Sequence, residues 1–173
     1  MWKVTLKDGR EVMLRFLTAN DKESLFGMFS SMSEKALEWS MAPYAMDDIE
    51  RWTSSLPTRI AIVAEYQGKI VGWASVYKLP RQRRKGVGDL AIYLHQNFHN
   101  VGLGTAMTEL LLQLAKSEKM HRIELTVVAE NKIALRLYEK FGFHIEGVSK
   151  EAFYGQDSEY HDIVNMGLIL PQR

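Results

Sequence analysis

Residues 90–107, LAIYLHQNFHNVGLGTAM, join an apolar strand pattern to a helix pattern through a short polar loop. The strand pattern ends at Leu94, and Gly102 and Gly104 stand where the helix begins. The first N–H groups of a helix have no partner within it and lie at the positive end of its dipole. Because glycines leave this backbone bare, the stretch predicts a binding site for an anion such as a phosphate.

Two common phosphate motifs do not fit this loop. A dinucleotide fingerprint needs a third glycine where Met107 stands, and no acidic ribose ligand follows at the expected distance. A nucleotide P-loop needs Lys and then Ser or Thr after its last glycine, but Gly104 is followed by Thr105 and Ala106. On these residues alone, a helix start with glycines for tight packing is the alternative to an anion site.

The apolar patterns along the chain predict a mixed α/β (α+β) fold with a mostly antiparallel sheet. Strand patterns fall at residues 2–6, 11–17, 60–66, 70–78, 86–94, 123–128, 144–151 and 163–170. Helix patterns fall at 102–117 and 131–141, after an earlier helix that starts near residue 20 and a broken helix across 33–56. No repeat or linker interrupts this order, so we expect a single domain over residues 1–173.

Composition and charge exclude several classes of protein. The 173 residues include no cysteine, which excludes disulfides, thiolate nucleophiles and Cys-based zinc sites. A net charge of +1 gives no field that would attract nucleic acid or an anionic membrane. Without a signal peptide or a long apolar run, we expect a cytoplasmic protein. His95 and His99 have zinc-like spacing but no third ligand nearby, so we predict no metal.

A second motif, NKIALRLYEKFGF at residues 131–143, puts Asn131 at a helix start and Tyr138 seven residues later, before Gly-Phe. Together with HNVGLG at residues 99–104, it resembles the Gcn5-related N-acetyltransferase (GNAT) superfamily, whose cofactor motif is Gln/Arg-x-x-Gly-x-Gly/Ala. The pattern is most similar to amino-acid, ribosomal-protein and polyamine N-acetyltransferases. His99 stands where the family usually has Gln or Arg, so we expect backbone amides to hold most of the pyrophosphate.

The resemblance implies an acyl-CoA N-acyltransferase fold, with helices on both faces of the sheet and a splayed pair of strands. It also implies acetyl-CoA as co-substrate and a primary amine as acceptor, which is an amino acid, a polyamine or a protein N-terminus. The implied cofactor-binding residues are Ile92, Tyr93 and Leu94 on the strand, His99, Asn100, Val101, Gly102, Leu103, Gly104 and Thr105 in the glycine loop, and Asn131, Ala134 and Tyr138 in the second motif.

The resemblance further implies catalytic roles. The Leu94 N–H would polarise the thioester carbonyl, and Tyr138 would serve the departing thiolate as an acid, unless it is only a packed aromatic residue. With pKa values of about 10 for tyrosine and about 8.5 for a thiol, full proton transfer is uphill by about 2 kcal/mol. A hydrogen bond or a lowered tyrosine pKa would close that difference.

The general base is left open by the sequence. Thr126 stands where related enzymes that modify protein N-termini often carry Glu, and a threonine cannot take the proton. Glu124 shares the strand face of Thr126, and Asp89 lies on the preceding strand, so either is a candidate. Either is equally well explained as a charge that faces solvent.

The acceptor side is less well defined. Trp39, Met41, Tyr44 and Trp52 fall where this family builds its acceptor wall, although such residues also complete cores. The nearby carboxylates of Glu34, Glu38, Asp47 and Asp48 suit a cationic acceptor, and residues 154–162 resemble the hairpin that covers it. The basic run at residues 81–85 predicts a solvated turn away from the pyrophosphate.

A non-catalytic acyl-CoA-binding sensor on the same fold is the alternative function, because the expected Glu is missing at position 126. The sequence leaves the oligomeric state open, a homodimer included.

Overall fold

The computed structural model describes residues 1–171 and contains one eight-stranded sheet. The strands are β1 (Trp2–Thr5), β2 (Glu11–Phe16), β3 (Arg59–Tyr66), β4 (Lys69–Lys78), β5 (Val87–Leu94), β6 (Arg122–Val128), β7 (His144–Tyr154) and β8 (Tyr160–Ile169). Their order across the sheet is β1-β2-β3-β4-β5-β6-β8-β7. Only β5 and β6 pair in parallel, and the other neighbours are antiparallel. The predicted mixed and mostly antiparallel sheet is confirmed.

Four helices cover the two faces of the sheet: α1 (Lys22–Ser31), α2 (Met46–Ser54), α3 (Leu103–Ser117) and α4 (Lys132–Lys140). The amphipathic α3 buries Met107 and Leu111 against one face, where α4 also packs. On the other face, α1 and α2 bury Leu25 and Ile49 against Trp73 of β4. Helices therefore lie on both faces, as expected.

The broken helix expected across residues 33–56 is wrong for its first half. Residues 34–39 form turns, and helix resumes only at α2. Serine side chains satisfy the backbone locally, since Ser33 Oγ accepts the Ala36 N–H at 3.1 Å and Ser40 Oγ accepts the Ala42 N–H at 3.2 Å. The Ser33 bond is of the kind that caps a helix start, and the Leu37 N–H donates to the Ser33 carbonyl at 3.1 Å, but this single turn is not continued. The last two strands also extend further towards their turn than the sequence pattern predicted.

The strands β5 and β6 separate after a short contact. Their register includes only Val87 with Arg122, Gly88 with Ile123 and Asp89 with Glu124. Beyond that point β5 continues to its end beside β4, while β6 continues beside β8. The splayed strand pair that the resemblance implied is therefore present.

Candidate active site

A cavity of about 990 Å³ lies where β5 and β6 separate. Most of the predicted cofactor residues line it: Ile92, Tyr93, Leu94, His99, Asn100, Gly102, Gly104, Thr105, Asn131, Ala134 and Tyr138. Val101 and Leu103 do not. Leu103 is fully buried in the core under α3, and the Val101 carbonyl accepts the Lys7 N–H at 3.0 Å. These two residues hold the loop in place from behind.

Along β5, the backbone N–H and C=O groups of successive residues point alternately towards β4 and towards the gap between β5 and β6. The His95 N–H donates to the Val71 carbonyl at 2.9 Å, and the register continues without a shift down the two strands. In an antiparallel pair, alternate residues direct both backbone groups towards the partner strand. The groups of Tyr93 therefore face β4, whereas those of Ile92 and Leu94 face the gap. Of the three residues expected to pair with a ligand there, Tyr93 is turned the other way.

The glycine loop is a cradle of unused donors. Asn100 and Gly102 have φ values of 60° and 89°, in the left-handed region. The first α3-type bond is that of the Ala106 N–H to the Gly102 carbonyl, at 3.1 Å. Within residues 1–171, the N–H groups from Asn100 to Thr105 donate to no protein acceptor. Six successive free donors at a helix N-terminus fit a pyrophosphate.

His99 binds the end of β5. Its Nε2 lies 2.8 Å from the Leu94 carbonyl oxygen, and because that oxygen can only accept, Nε2 carries the hydrogen. The ring thus satisfies the Leu94 carbonyl and leaves the Leu94 N–H to the gap. His95, the other histidine of the loop, accepts the Asn97 N–H at its Nδ1, at 3.3 Å.

Asn131 and Tyr138 lie two turns apart on the face of α4 that borders the cavity. Asn131 caps the helix, with its Oδ1 accepting the Ala134 N–H at 3.3 Å, and its amide NH₂ remains a donor. The Tyr138 ring is only 6% exposed and packs edge-on to Phe143, 5.7 Å between centroids. Among residues 1–171, no group forms a hydrogen bond with its hydroxyl.

Burial raises the pKa of Tyr138 well above its usual value, and the negative charge of Asp89 raises it further. This direction is opposite to the lowered tyrosine pKa that would ease proton transfer to a thiolate. Tyr138 therefore stays protonated at neutral pH and presents a hydrogen-bond donor.

The two candidate bases differ in their surroundings. Asp89 lines the cavity and is still exposed. Partial desolvation by the surrounding protein raises the pKa of Asp89 to about 6, with a contribution from the charge of Glu124 and against the effect of Arg59. Glu124 does not line the cavity, and its carboxylate is bound by Arg84 at 2.6 Å and Arg122 at 3.4 Å. Asp89 is thus the better placed to exchange protons with a ligand.

One face of α4 is basic, a feature that was not predicted from the sequence. Lys132, Arg136 and Lys140 recur at intervals of four residues and line the cavity, as does Lys7 from the turn after β1. Residues four apart share one side of a helix, so the spacing after Asn131 was a readable signal for three of them. Lys7 gave no such signal, because only the tertiary fold brings it to the glycine loop, 3.6 Å from the Cβ position of Gly102.

The four residues expected in the acceptor wall fall into two pairs. Trp39 and Met41 line the cavity. Tyr44 and Trp52 pack into the core beside α1, with Trp52 stacked on Trp73 at 4.5 Å. Tyr44 still reaches the site indirectly, since its hydroxyl donates to that of Tyr93, a cavity residue, at 2.6 Å.

The β7–β8 hairpin packs on the segment that carries Trp39. The Gln156 Nε2 donates to the Glu34 carbonyl at 3.1 Å, and the Trp39 ring lies 6.2 Å from Phe153 and 5.1 Å from His161. The hairpin therefore packs against the segment that lines one end of the cavity with Trp39 and Met41.

The remaining expected charges lie elsewhere. Of the four carboxylates expected near the acceptor, only Glu38 has its side chain on the cavity, and Asp47 and Asp48 belong to the first turn of α2. The run at residues 81–85 is an exposed turn whose Arg84 pairs with Glu124. In the described chain, no three His, Cys, Asp or Glu side chains group as for a metal ion, and no helix is long and apolar enough to cross a membrane.

Comparison with known proteins agrees with this geometry. The family described as "Acetyltransferase (GNAT) family" matches residues 24–143. The chain is 28% identical to the L-amino acid N-acetyltransferase AaaT of Escherichia coli (strain K12), over 92% of this chain and 98% of that protein. It is 31% identical to a spermine/spermidine N(1)-acetyltransferase of Bacillus subtilis (strain 168), over 47% of this chain and 57% of that protein.

Among solved structures, an acetyltransferase of the GNAT family from Streptococcus pneumoniae superposes with a TM-score of 0.82 at 26% identity, over 92% of this chain and 99% of that chain. The protein belongs to the GNAT acetyltransferase family. It is an acetyl-CoA-dependent N-acetyltransferase, as the two sequence motifs predicted, and the sensor alternative gains no support.

Replacing Gly102 by Val tests the glycine loop. A β-branched residue at φ 89° is strained, so the loop must shift. Its N–H groups then no longer point towards one bound anion. We expect the affinity for acetyl-CoA to fall by about tenfold or more in calorimetry, with the circular dichroism spectrum unchanged. Gly68→Val is the matched control, since Gly68 has φ 74° in the β3–β4 turn, away from this cavity. Equal affinities for the two variants would refute this role of the loop.

Proposed function

We propose that the enzyme transfers the acetyl group of acetyl-CoA directly to a primary amine within a ternary complex. The observation that carries this proposal is the gap between β5 and β6. It exposes unpaired backbone of Ile92 and Leu94 in a cavity that also holds the free N–H groups of the glycine loop and a second side lined by Trp39 and Met41. Two substrates therefore have separate walls in one cavity.

The cofactor side offers a matching partner to each part of coenzyme A. The free N–H groups of residues 100–105 suit the pyrophosphate, and the basic face of α4 suits the remaining phosphate charge. The pantetheine arm, with its two amides, suits the backbone groups of Ile92 and Leu94. Asn131 retains donors for the same arm from the opposite wall.

The reaction forms one bond and breaks one. The amine nitrogen attacks the thioester carbonyl carbon, the C–S bond breaks, the thiolate leaves with the electron pair, and the amine gives up a proton. With no cysteine in the chain, no cysteinyl acyl-enzyme can form. The Leu94 N–H stabilises the developing oxyanion. The Ile92 N–H faces the same gap and is free to bind the pantetheine arm.

Tyr138 stabilises the departing sulfur as a hydrogen-bond donor. Its hydroxyl lines the cavity without a protein partner, and its raised pKa keeps the proton on oxygen. Since that pKa lies above that of a thiol, the donor does not give up the proton fully. A donated bond to a nascent anion still contributes strongly to the rate.

Asp89 accepts the amine proton through water. Five residues of strand separate it from Leu94, a span of about 17 Å, which is too long for direct transfer at that point. The Asp89 carboxylate lines the same cavity and its charge raises the pKa of Tyr138, so a chain of several cavity waters connects the two ends. A pKa of about 6 leaves Asp89 mostly ionised at neutral pH and thus able to act as a base.

Tyr138→Phe tests the donor. We expect turnover to fall by about 10²-fold, while acetyl-CoA affinity stays within a few fold because the phosphate contacts lie elsewhere. The melting temperature should hardly change, since the lost hydroxyl has no hydrogen bond with residues 1–171. Tyr66→Phe, beside Phe98 and outside this cavity, is the matched control. If Tyr138→Phe kept full turnover, Tyr138 would contribute only to packing and not to catalysis.

The pH dependence of kcat/KM tests the base. A base must be ionised, so the rate should rise with pH through an apparent pKa of about 6 and lose this limb in Asp89→Asn. In Glu124→Gln the limb should persist but move to lower pH, because the charge that raises the pKa of Asp89 is gone. A limb that vanishes in Glu124→Gln but survives in Asp89→Asn would assign the base to Glu124 instead.

A further inference from the structure

The turn between β1 and β2 packs directly on the glycine loop. The Lys7 N–H donates to the Val101 carbonyl at 3.0 Å, and the methylene groups of the Lys7 side chain lie 3.6 to 3.9 Å from the Cβ position of Gly102. The stem of Lys7 therefore follows the backbone of the loop, and its ammonium group, one bond beyond Cε, reaches the cavity that Lys7 lines. A turn at the edge of the sheet thus brings one cation beside the free N–H groups of the loop.

Arg10 holds this turn in place. Its guanidinium group pairs with Asp8 at 2.7 Å, donates to the Asn97 carbonyl at 2.7 Å and lies 4.0 Å from the centre of the Phe98 ring. Asn97 and Phe98 belong to the segment between β5 and α3 that leads into the glycine loop. The backbone that carries Lys7 is therefore fixed to the loop before a ligand binds, which lowers the entropy lost on binding.

The Lys7 ammonium group has no counter-ion among residues 1–171. Lys3, on the same hairpin, is instead bound by Glu11 at 2.8 Å. Asp8, the carboxylate next to Lys7 in the chain, is held by Arg10 through its side chain and its backbone N–H. The positive charge of Lys7 therefore stays available to an anion that binds at the glycine loop.

His99, the first residue of the glycine motif, does not supply this charge. Its Nε2 carries a hydrogen and donates it to the Leu94 carbonyl at 2.8 Å, so the Nδ1 of the neutral ring presents a lone pair. A lone pair repels a phosphate oxygen. The position where the family usually has Gln or Arg is thus occupied by a side chain that binds the end of β5, and it offers no donor to a phosphate.

The charge of the loop backbone is small beside that of a pyrophosphate. The N-terminal end of a helix such as α3 carries about half an elementary charge, whereas a pyrophosphate diester carries a full negative charge on each of its phosphate groups. A lysine beside the loop adds a full positive charge. A hydrogen bond from an ammonium group to a phosphate oxygen is also about twice as strong as one between neutral groups. The position of Lys7 allows it to form that bond.

We propose that Lys7 binds the pyrophosphate of acetyl-CoA and takes the place of the Gln or Arg side chain that the glycine motif lacks. The pyrophosphate site is thereby built from two segments far apart in sequence: the backbone of the glycine loop and one side chain of the β1–β2 turn. This inference rests on the proposed placement of coenzyme A in the gap and names a further residue that binds it.

Calorimetry of coenzyme A binding to Lys7→Met and Lys7→Arg tests the charge. Methionine keeps an unbranched stem that packs on Gly102, and the backbone bond to Val101 stays in place. We expect Lys7→Met to weaken the binding of coenzyme A by about tenfold, and Lys7→Arg to stay within about threefold of the wild type. Lys3→Met is the matched control on the same hairpin, and its affinity should equal that of the wild type.

Dephospho-coenzyme A identifies the phosphate that Lys7 binds, because it keeps the pyrophosphate and lacks the phosphate on the ribose. Lys7→Met should weaken the binding of coenzyme A and of dephospho-coenzyme A by the same factor. A loss confined to coenzyme A would move Lys7 to the ribose phosphate and overturn the assignment to the pyrophosphate. Unchanged binding of both ligands would show that the charge of Lys7 has no part in cofactor binding.

The Gly102→Val variant separates this inference from the proposed function. If Gly102→Val loses affinity for coenzyme A and Lys7→Met does not, the loop backbone binds the pyrophosphate and the role of Lys7 is wrong. If the wild type binds coenzyme A and neither variant weakens it, both the placement of the cofactor and the role of Lys7 are wrong. The expected losses of affinity without acetyl transfer to any primary amine would contradict the proposed reaction and leave the assignment of Lys7 intact.

Discussion

The site depends on the loss of pairing between β5 and β6 after Asp89. A strand within a sheet normally satisfies its backbone on both sides, and unsatisfied buried N–H and C=O groups are costly. Here the inner edge of β5 faces a cavity, so its groups need water or a ligand. The His99 ring donates a hydrogen bond to one of these groups, the Leu94 carbonyl, and the neighbouring N–H groups of β5 stay free. The protein keeps a vacant strand position that an extended, amide-containing molecule can fill.

Strand alternation then divides the chemistry between two faces. Leu90, Ile92 and Leu94 direct their side chains into the core under α3 and α4, the side of the glycine loop. Ala91 and Tyr93 direct theirs towards α1 and α2, the side on which Trp39 and the hairpin lie. A single strand thus supplies backbone to the gap and side chains to both walls.

Much of this could be predicted because the signals are local. The glycine loop and the second motif each lie within one short stretch, so helix start, cap and phosphate cradle follow from adjacent residues. The splayed strands were implied by the resemblance. The segment at residues 34–39 was predicted wrongly, because it packs on the distant hairpin, whose Gln156 side chain donates to the Glu34 carbonyl, and it forms turns there.

The rest depends on partners far apart in sequence. Arg84 and Glu124 are forty residues apart, and their ion pair distinguishes the two carboxylates that the sequence left equal as bases. Likewise, the approach of Lys7 to the glycine loop requires the folded chain. The periodicity of a sequence assigns a residue to one face of its own helix or strand, but it does not identify which residue of another element contacts it.

Amide hydrogen exchange of β5, followed by NMR with and without coenzyme A, tests the central claim most directly. Tyr93 pairs with β4, so its amide should be protected in both states. The amides of Ile92 and Leu94 face the gap, and their exchange should slow by about tenfold or more when coenzyme A binds. If coenzyme A binds and these two amides exchange as before, the gap is not where its arm lies.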